Sequence, residues 1–381
     1  MKKLLYYYFA MHTLYCIALL GTRPIVSLFV YETGGSEALI GILVSLYALL
    51  PMLLAIRIGK WLDRFGARSV TLWGGAGMLL AIALPSLLAN IPTLFFSQLM
   101  MGFSQICVLI SLQKTVGNLP GDRDRLFATF SLSGSTGELI GPLMSGFLYE
   151  RFGFSVSFAA SAACIAIALL MGLLISRSAW RSGEPLERQE QPGAIASNNT
   201  WGLLRTANLR NALIISGLVL YSKDLFVAYF PIYATNLGMS SGRIGIILSL
   251  MAAMSILVRV TQFYLVRRFG RGRLLFVTLL LSAAAYLLIP LSEWPILLTV
   301  LAMALGVGLG LGQPLSLVFA LNSSPSGRQG EVLGMRLTFN RASQFGAPIL
   351  FGVIGSAAGV SPIFWLSGGV LLFGAFFTRI K

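Results

Sequence analysis

Apolar positions in this chain come in twelve long runs separated by short polar intervals: 5–31, 37–57, 69–90, 92–117, 125–149, 153–176, 209–234, 241–264, 273–292, 295–321, 330–354 and 360–379. Each is near the ~20 residues that an α-helix needs to cross a bilayer. The pattern predicts an all-α integral membrane protein of twelve transmembrane helices. Pro and Gly are frequent in the first six runs, as membrane helices permit when neighbouring helices re-satisfy the backbone. The longest polar interval, "SRSAWRSGEPLERQEQPGAIASNNT" at 176–200, reads as a flexible linker. It divides the chain into a six-helix bundle at 1–176, a linker at 177–208 and a second six-helix bundle at 209–381.

Three landmarks make these halves a tandem repeat. Gly41 in "LIGILVS" and Gly245 in "RIGIILS" are 204 positions apart, and so are Arg64-Phe65-Gly66 and Arg268-Phe269-Gly270. Pro142 in "GELIGPLMSG" and Pro348 in "SQFGAPILFG" are 206 apart. Two such repeats, related by an axis along the membrane normal, are a plan of secondary transporters, with cargo near the midplane between them.

Charge adds an orientation. Of the 28 Lys and Arg, six lie well inside apolar runs, two (Arg151 and Arg243) lie in or at the edge of alternate intervals, and the other twenty lie at the termini or in or at the edges of the remaining intervals. Lys and Arg mark the cytoplasmic side, so both termini and the linker are expected in the cytoplasm of a bacterial inner membrane. The net charge of +15 is therefore a topology signal, because the basic residues are scattered and form no patch for nucleic acid. Only 11% of residues are charged and 56% are hydrophobic, far from the composition of a soluble domain. The first apolar run is too long and too aromatic for a secretory signal. Cys16, Cys107 and Cys164 lie in apolar runs without disulfide or metal-ligand spacing, and His12 is the single histidine. No Walker loop or nucleotide fingerprint occurs. No enzyme activity, metal or cofactor is expected, and the bilayer, protons and one small organic cargo are the expected partners of a monomer.

Several stretches resemble the major facilitator superfamily. Gly59-x-x-Leu62-Asp63-Arg64-x-Gly66-x-Arg68 is similar to its signature between helices 2 and 3, whose Asp and Arg pair with neighbouring helix ends and lock the outward-open form. "GSTGELIGPLMSG" resembles the helix 5 motif of drug/proton antiporters through Gly137, Gly141, Pro142 and Gly146, with Ser145 where glycine is usual. "GLGLGQPLSL" and "GMRLTFNRASQFGAP" look like helices 10 and 11 of bacterial efflux members. The resemblance implies export of a drug or metabolite, possible cargoes including an anionic, siderophore-like molecule, in exchange for protons. Two departures count against a simple transfer of that scheme. Gln98 stands where the family's helix 4 carries an arginine associated with proton relay, and Arg267 occupies the position that Asp63 holds in the first half. An importer of a sugar, peptide or organic acid and a non-transporting receptor are the alternatives.

Charged residues at membrane depth are costly and are candidates for function. Asp224 and Glu138 are the two carboxylates there, candidate proton carriers or structural hydrogen-bonding groups. Arg23, just before Pro24, can bind a substrate anion or pair with one of those carboxylates, and Arg341 has the same ambiguity. Lys223 is a candidate substrate contact or a counter-ion to Asp224. Lys114 and Arg336 are near enough to cytoplasmic ends to snorkel. Phe226, Tyr229 and Tyr233 share a face at helical spacing, suited to stacking on an amphiphilic ligand or to packing. Gly59, Asp63, Arg64, Gly66 and Arg68, with Arg259 and Arg268, are the candidate cytoplasmic gate. Gly306, Gly308, Gly310 and Gly312 with Pro314 make helix 10 deformable, as rocking bundles require.

Overall fold

The computed structural model describes residues 2–119, 123–181, 205–324 and 329–377. These fold as α1 (Lys2–Glu32), α2 (Glu37–Leu87), α3 (Ile91–Gly117), α4 (Arg123–Leu174), the short α5 (Arg177–Arg181), α6 (Ala207–Asn236), α7 (Ser241–Phe269), α8 (Arg271–Leu288), a 3-10 turn (Ile289–Leu291), α9 (Pro295–Asn322), α10 (Gln329–Ala358) and α11 (Ser361–Phe377), with no strand among the described residues. Of the expected linker, residues 182–204 lie outside the described residues. Its first residues form α5, where the Trp180 ring meets the Tyr8 ring edge-on at 5.1 Å.

Against an expectation of twelve separate crossings, eight described helices are long and apolar enough to span a membrane. The difference has a physical origin. α2 and α4 run 51 and 52 residues, over twice the length that ~30 Å of hydrocarbon demands at 1.5 Å per residue. Each doubles back through one glycine without losing its helical hydrogen bonding on either arm: Gly66 (φ 81°) in α2 and Gly153 (φ 80°) in α4. α10 carries Arg336, Asn340 and Arg341, which lower its apolarity, and α11 has only 17 residues.

Glycine reverses the chain at these points because an L side chain rarely adopts positive φ. The described residues with positive φ are six glycines: Gly34, Gly66, Gly153, Gly238, Gly270 and Gly359. They form three pairs, Gly34 with Gly238 and Gly66 with Gly270 at a separation of 204, and Gly153 with Gly359 at 206. These are the spacings of the sequence landmarks. The Arg-Phe-Gly echo thus marks one reversal made twice. Gly66 and Gly270 turn at one face, flanked by Arg64, Arg68, Arg267, Arg268, Arg271 and Arg273, here termed the basic face. Gly34, Gly153, Gly238 and Gly359 turn at the opposite face.

α1 to α4 pack mainly against one another, and α6 to α11 do the same. The groups meet where α2 lies on α10 and α4 on α7, with α1 against α6 in the middle. The two outer contacts are copies. A methyl group on Gly41 would overlap the carbonyl of Pro348, and one on Gly245 would overlap the carbonyl of Pro142. One turn on, Gly352 lies against the carbonyl of Glu37 and Gly146 against that of Ser241. The helix starts are tied in the same register: the Ala38 N–H donates to Ser356 Oγ and the Gly242 N–H to Glu150 Oε2, each at 2.8 Å. Small residues let the backbones touch, so the halves are sealed at the opposite face.

Candidate functional site

At membrane depth α6 carries Lys223 and Asp224 side by side. Successive helix residues point about 100° apart, and the two reach different helices. Arg23 Nη1 of α1 donates to Asp224 Oδ1 at 2.8 Å, and Gln344 Nε2 of α10 donates to Asp224 Oδ2 at 2.5 Å. Lys223 forms an ion pair with Glu138 of α4. Arg341 Nη1 donates to Gln344 Oε1 at 3.0 Å, extending the chain Arg341–Gln344–Asp224–Arg23 across three helices. The Arg23 guanidinium also sits over the Tyr47 ring, 5.0 Å from its centre. Side-chain exposure is 11% for Arg23 and 7% for Asp224, and 25% and 19% for Lys223 and Glu138. Both ion pairs join the two halves. Of the alternatives open to Arg23, pairing with Asp224 is the one adopted here.

Gln344 was not among the sequence candidates, although it lies 206 positions after Glu138, in the register of the two prolines. The repeat therefore presents a carboxylate from one half and an amide from the other to adjacent residues of α6.

The aromatic face of α6 is spent on protein. Phe226 and Tyr229 have no exposed surface. Phe226 stacks on Phe230 with centres 4.6 Å apart. Tyr229 Oη donates to the carbonyls of Glu37 (3.2 Å) and Pro348 (3.1 Å), stitching the α2–α10 seam. Tyr233 Oη donates to the carbonyls of Ile289 and Ser292, both at 3.1 Å. In this conformation none of the three offers a ring face to a ligand.

On the basic-face side of the charge cluster the halves separate around a cavity of about 990 Å³. α3, α4, α7, α9 and α10 wall it, and its polar lining includes Gln113, Ser135, Arg259, Gln262, Gln313 and Arg336. Arg259, expected at a gate, stands on this wall: its Nε donates to the Gly310 carbonyl (3.0 Å) and its Nη1 to Ser135 Oγ (3.2 Å) across the halves. Arg336, expected to snorkel to the surface, turns inward to Gln313 Oε1 at 2.7 Å and the Gln313 carbonyl at 3.0 Å. Gln313 in turn donates to the Ser216 carbonyl, and Ser216 Oγ to Asn340 Oδ1.

The remaining gate candidates make contacts within their own halves. Lys114 Nζ pairs with Asp63 Oδ1 at 2.8 Å, Arg64 lies over Phe65, and Arg68 donates to the Leu173 carbonyl at 3.4 Å. Arg268 reaches Tyr264 Oη and lies over Phe269, while Gly59 faces open space. The helix 5 motif divides by face. Gly137 and Gly141 pack on Cys16, Ile17 and Gly21 of α1, whereas Pro142 and Gly146 pack on α7. Ser145, where glycine is usual, donates to the Gly21 carbonyl at 2.8 Å and so adds to the α1 contact. His12, alone in sequence, is buried beside Ser133 Oγ (2.7 Å) and stacks on Phe130. No group of His, Cys, Asp and Glu able to hold a metal occurs among the described residues.

The sequence model of the Major Facilitator Superfamily matches residues 8–263 and 212–380. The chain belongs to that superfamily. Among its relatives is the "uncharacterized MFS-type transporter YuxJ" of Bacillus subtilis (strain 168), 25% identical over 371 residues, covering 92% of this chain and 91% of that protein. Another is "multidrug resistance protein MdtG" of Klebsiella pneumoniae (strain 342), 23% identical over 376 residues and covering 94% and 88%. Among solved structures, nucleoside transporter NupG superposes with a TM-score of 0.80 at 15% identity over the whole of both chains. A bacterial homolog of the human lysosomal transporter Spinster, in an inward-facing and occupied conformation, gives a TM-score of 0.76 at 15% identity, covering 99% and 96%. These superpositions place the chain in the major facilitator fold. It is a transporter of that superfamily, and the match to the multidrug relative spans 94% of the chain.

Proposed function

We propose that this protein exports a small organic molecule in exchange for protons by alternating access, with twelve passes through a bacterial inner membrane and both termini in the cytoplasm. The observation that carries the reading is the pair of ion bridges, Lys223–Glu138 and Arg23–Asp224, that join the halves between a sealed face and an open one. Each carboxylate holds a cation from the other half. Protonation turns it into a neutral acid and releases that cation, so proton occupancy changes how firmly the halves are tied at depth. The family's efflux relatives and the helix 5 motif support export. The gradient is the energy source, and no cofactor enters the scheme.

The test uses proteoliposomes with an imposed pH gradient. Addition of cargo on one side releases protons from the other in antiport, and Asp224→Asn and Glu138→Gln each abolish that release. If both variants keep full coupled transport, the proton assignment is wrong. Buried Gln98, in place of the family's helix 4 arginine, leaves import with protons open as the second reading. Protons and cargo moving in the same direction in this assay would establish it.

A further inference from the structure

The open cavity holds two guanidinium groups whose contacts among the described residues are all neutral. Arg259 bonds the Gly310 carbonyl and Ser135 Oγ, and Arg336 bonds the carbonyl and side-chain oxygen of Gln313. The carboxylates in the described ion pairs are engaged elsewhere: Asp224 by Arg23, Glu138 by Lys223 and Asp63 by Lys114. No Asp or Glu lines the cavity among the described residues. A cation at membrane depth ordinarily finds a counter-charge or marks a substrate path. Here the described wall supplies no counter-charge, and Arg336 Nε is buried without any acceptor among the described residues.

The two arginines are also placed to act together. They hold the carbonyls of Gly310 and Gln313, which lie three residues apart and hence within one turn on α9. A guanidinium is a planar fork matched to two oxygens of a carboxylate or sulfonate. Ile256, Pro314 and Leu317 add apolar surface beside them.

We propose that the cargo is an amphipathic organic anion whose acidic group is held between Arg259 and Arg336, with its apolar body against Ile256 and Leu317. The inference rests on the transport reading and adds the chemical class of the cargo. It also moves anion recognition away from Arg23, which Asp224 already satisfies. An anion on Arg259 competes with Ser135 for Nη1, so loading exchanges a contact between the halves for one to the cargo.

Fluorescence anisotropy of carboxyfluorescein, an amphipathic anion, with the purified full chain in detergent tests this, with ethidium as the cationic control. Carboxyfluorescein binds saturably and ethidium does not compete. Arg259→Gln and Arg336→Gln each weaken binding about ten-fold or more, the size expected for loss of a charge-assisted pair. Ser135→Ala leaves binding equal or tighter, which general loss of structure would not do. The proposal is overturned if ethidium binds the wild-type chain better than carboxyfluorescein, a result independent of any variant's folding. It is equally overturned if both glutamine variants, monodisperse on gel filtration, bind the anion as the wild type does. Anion binding by a chain that moves no cargo in proteoliposomes would keep this site and remove the export reading. Proton-driven movement of ethidium without anion binding would do the reverse.

Discussion

At the opposite face the two halves touch backbone to backbone, glycine against the carbonyls of Pro348 and Pro142, in two copies of one seam. Toward the basic face α4 and α7 part around the cavity, and side chains such as Ser135 and Arg259 take the place of backbone contact. The first arrangement is tight and made chiefly of backbone. The second is loose and strongly cationic. Between them lie Arg23–Asp224 and Lys223–Glu138, partly shielded and able to respond to what reaches them from the cavity. A seam made of glycine has no side chain to repack, so it closes or parts as a unit. Bistable contacts of this kind convert a small local change into movement of a whole bundle.

The contrast can be broken most severely at the charges. Asp224→Ala leaves the Arg23 guanidinium unpaired at depth and should lower unfolding stability by about 3–5 kcal/mol. Arg23→Met combined with Asp224→Leu should recover most of that loss in thermal unfolding, since neither charge is then stranded. If the double variant is as unstable as the single one, the pair is not the tie described here.

The seam comes next. Gly41→Val and Gly245→Val each insert a side chain where a backbone carbonyl already sits, an overpacking cost of about 1–3 kcal/mol. Because the two sites are register mates, the losses should match, and both variants should raise labelling of single cysteines at the opposite face. Unequal losses would show that the seams are not equivalent. Ser145→Ala removes a buried bond to the Gly21 carbonyl and should cost about 1 kcal/mol without opening either face. Asp63→Asn is the smallest change. Its pair with Lys114 is exposed, so it should cost under about 1 kcal/mol in unfolding.

The repeat register is legible in the sequence, because glycine and proline have few reasons to recur at one register except backbone geometry; the seam it forms is not. Gly41, Gly245, Pro142 and Pro348, markers of duplication, are residues whose backbones meet across the seam. The charges were legible as a set but not as pairs. Lys223 and Asp224 are neighbours in sequence, and which of α1, α4 and α10 each one meets depends on how six helices pack. Gln344 went unnoticed because an amide carries no charge signal; only its register with Glu138 could have nominated it. Arg259 and Arg336 were read by distance from the helix end, which sets how far a side chain can snorkel but not whether a cavity waits on the inner side. The aromatic face of α6 was ambiguous for a related reason, since stacking on a ligand and stacking on Phe230 need the same spacing.

Under the proposed exchange, sealing at one face and opening at the other are alternatives of a single machine. Spin labels at Phe65 and Phe269 report the basic face, and labels at Thr33 and Glu293 the opposite face, in a chain with Cys16, Cys107 and Cys164 replaced by alanine. Electron–electron distances are then measured in lipid at high pH and at low pH. Reciprocal change is expected, one pair lengthening as the other shortens, with that response lost in Glu138→Gln combined with Asp224→Asn. Two distances that stay fixed, or that lengthen together, would contradict it.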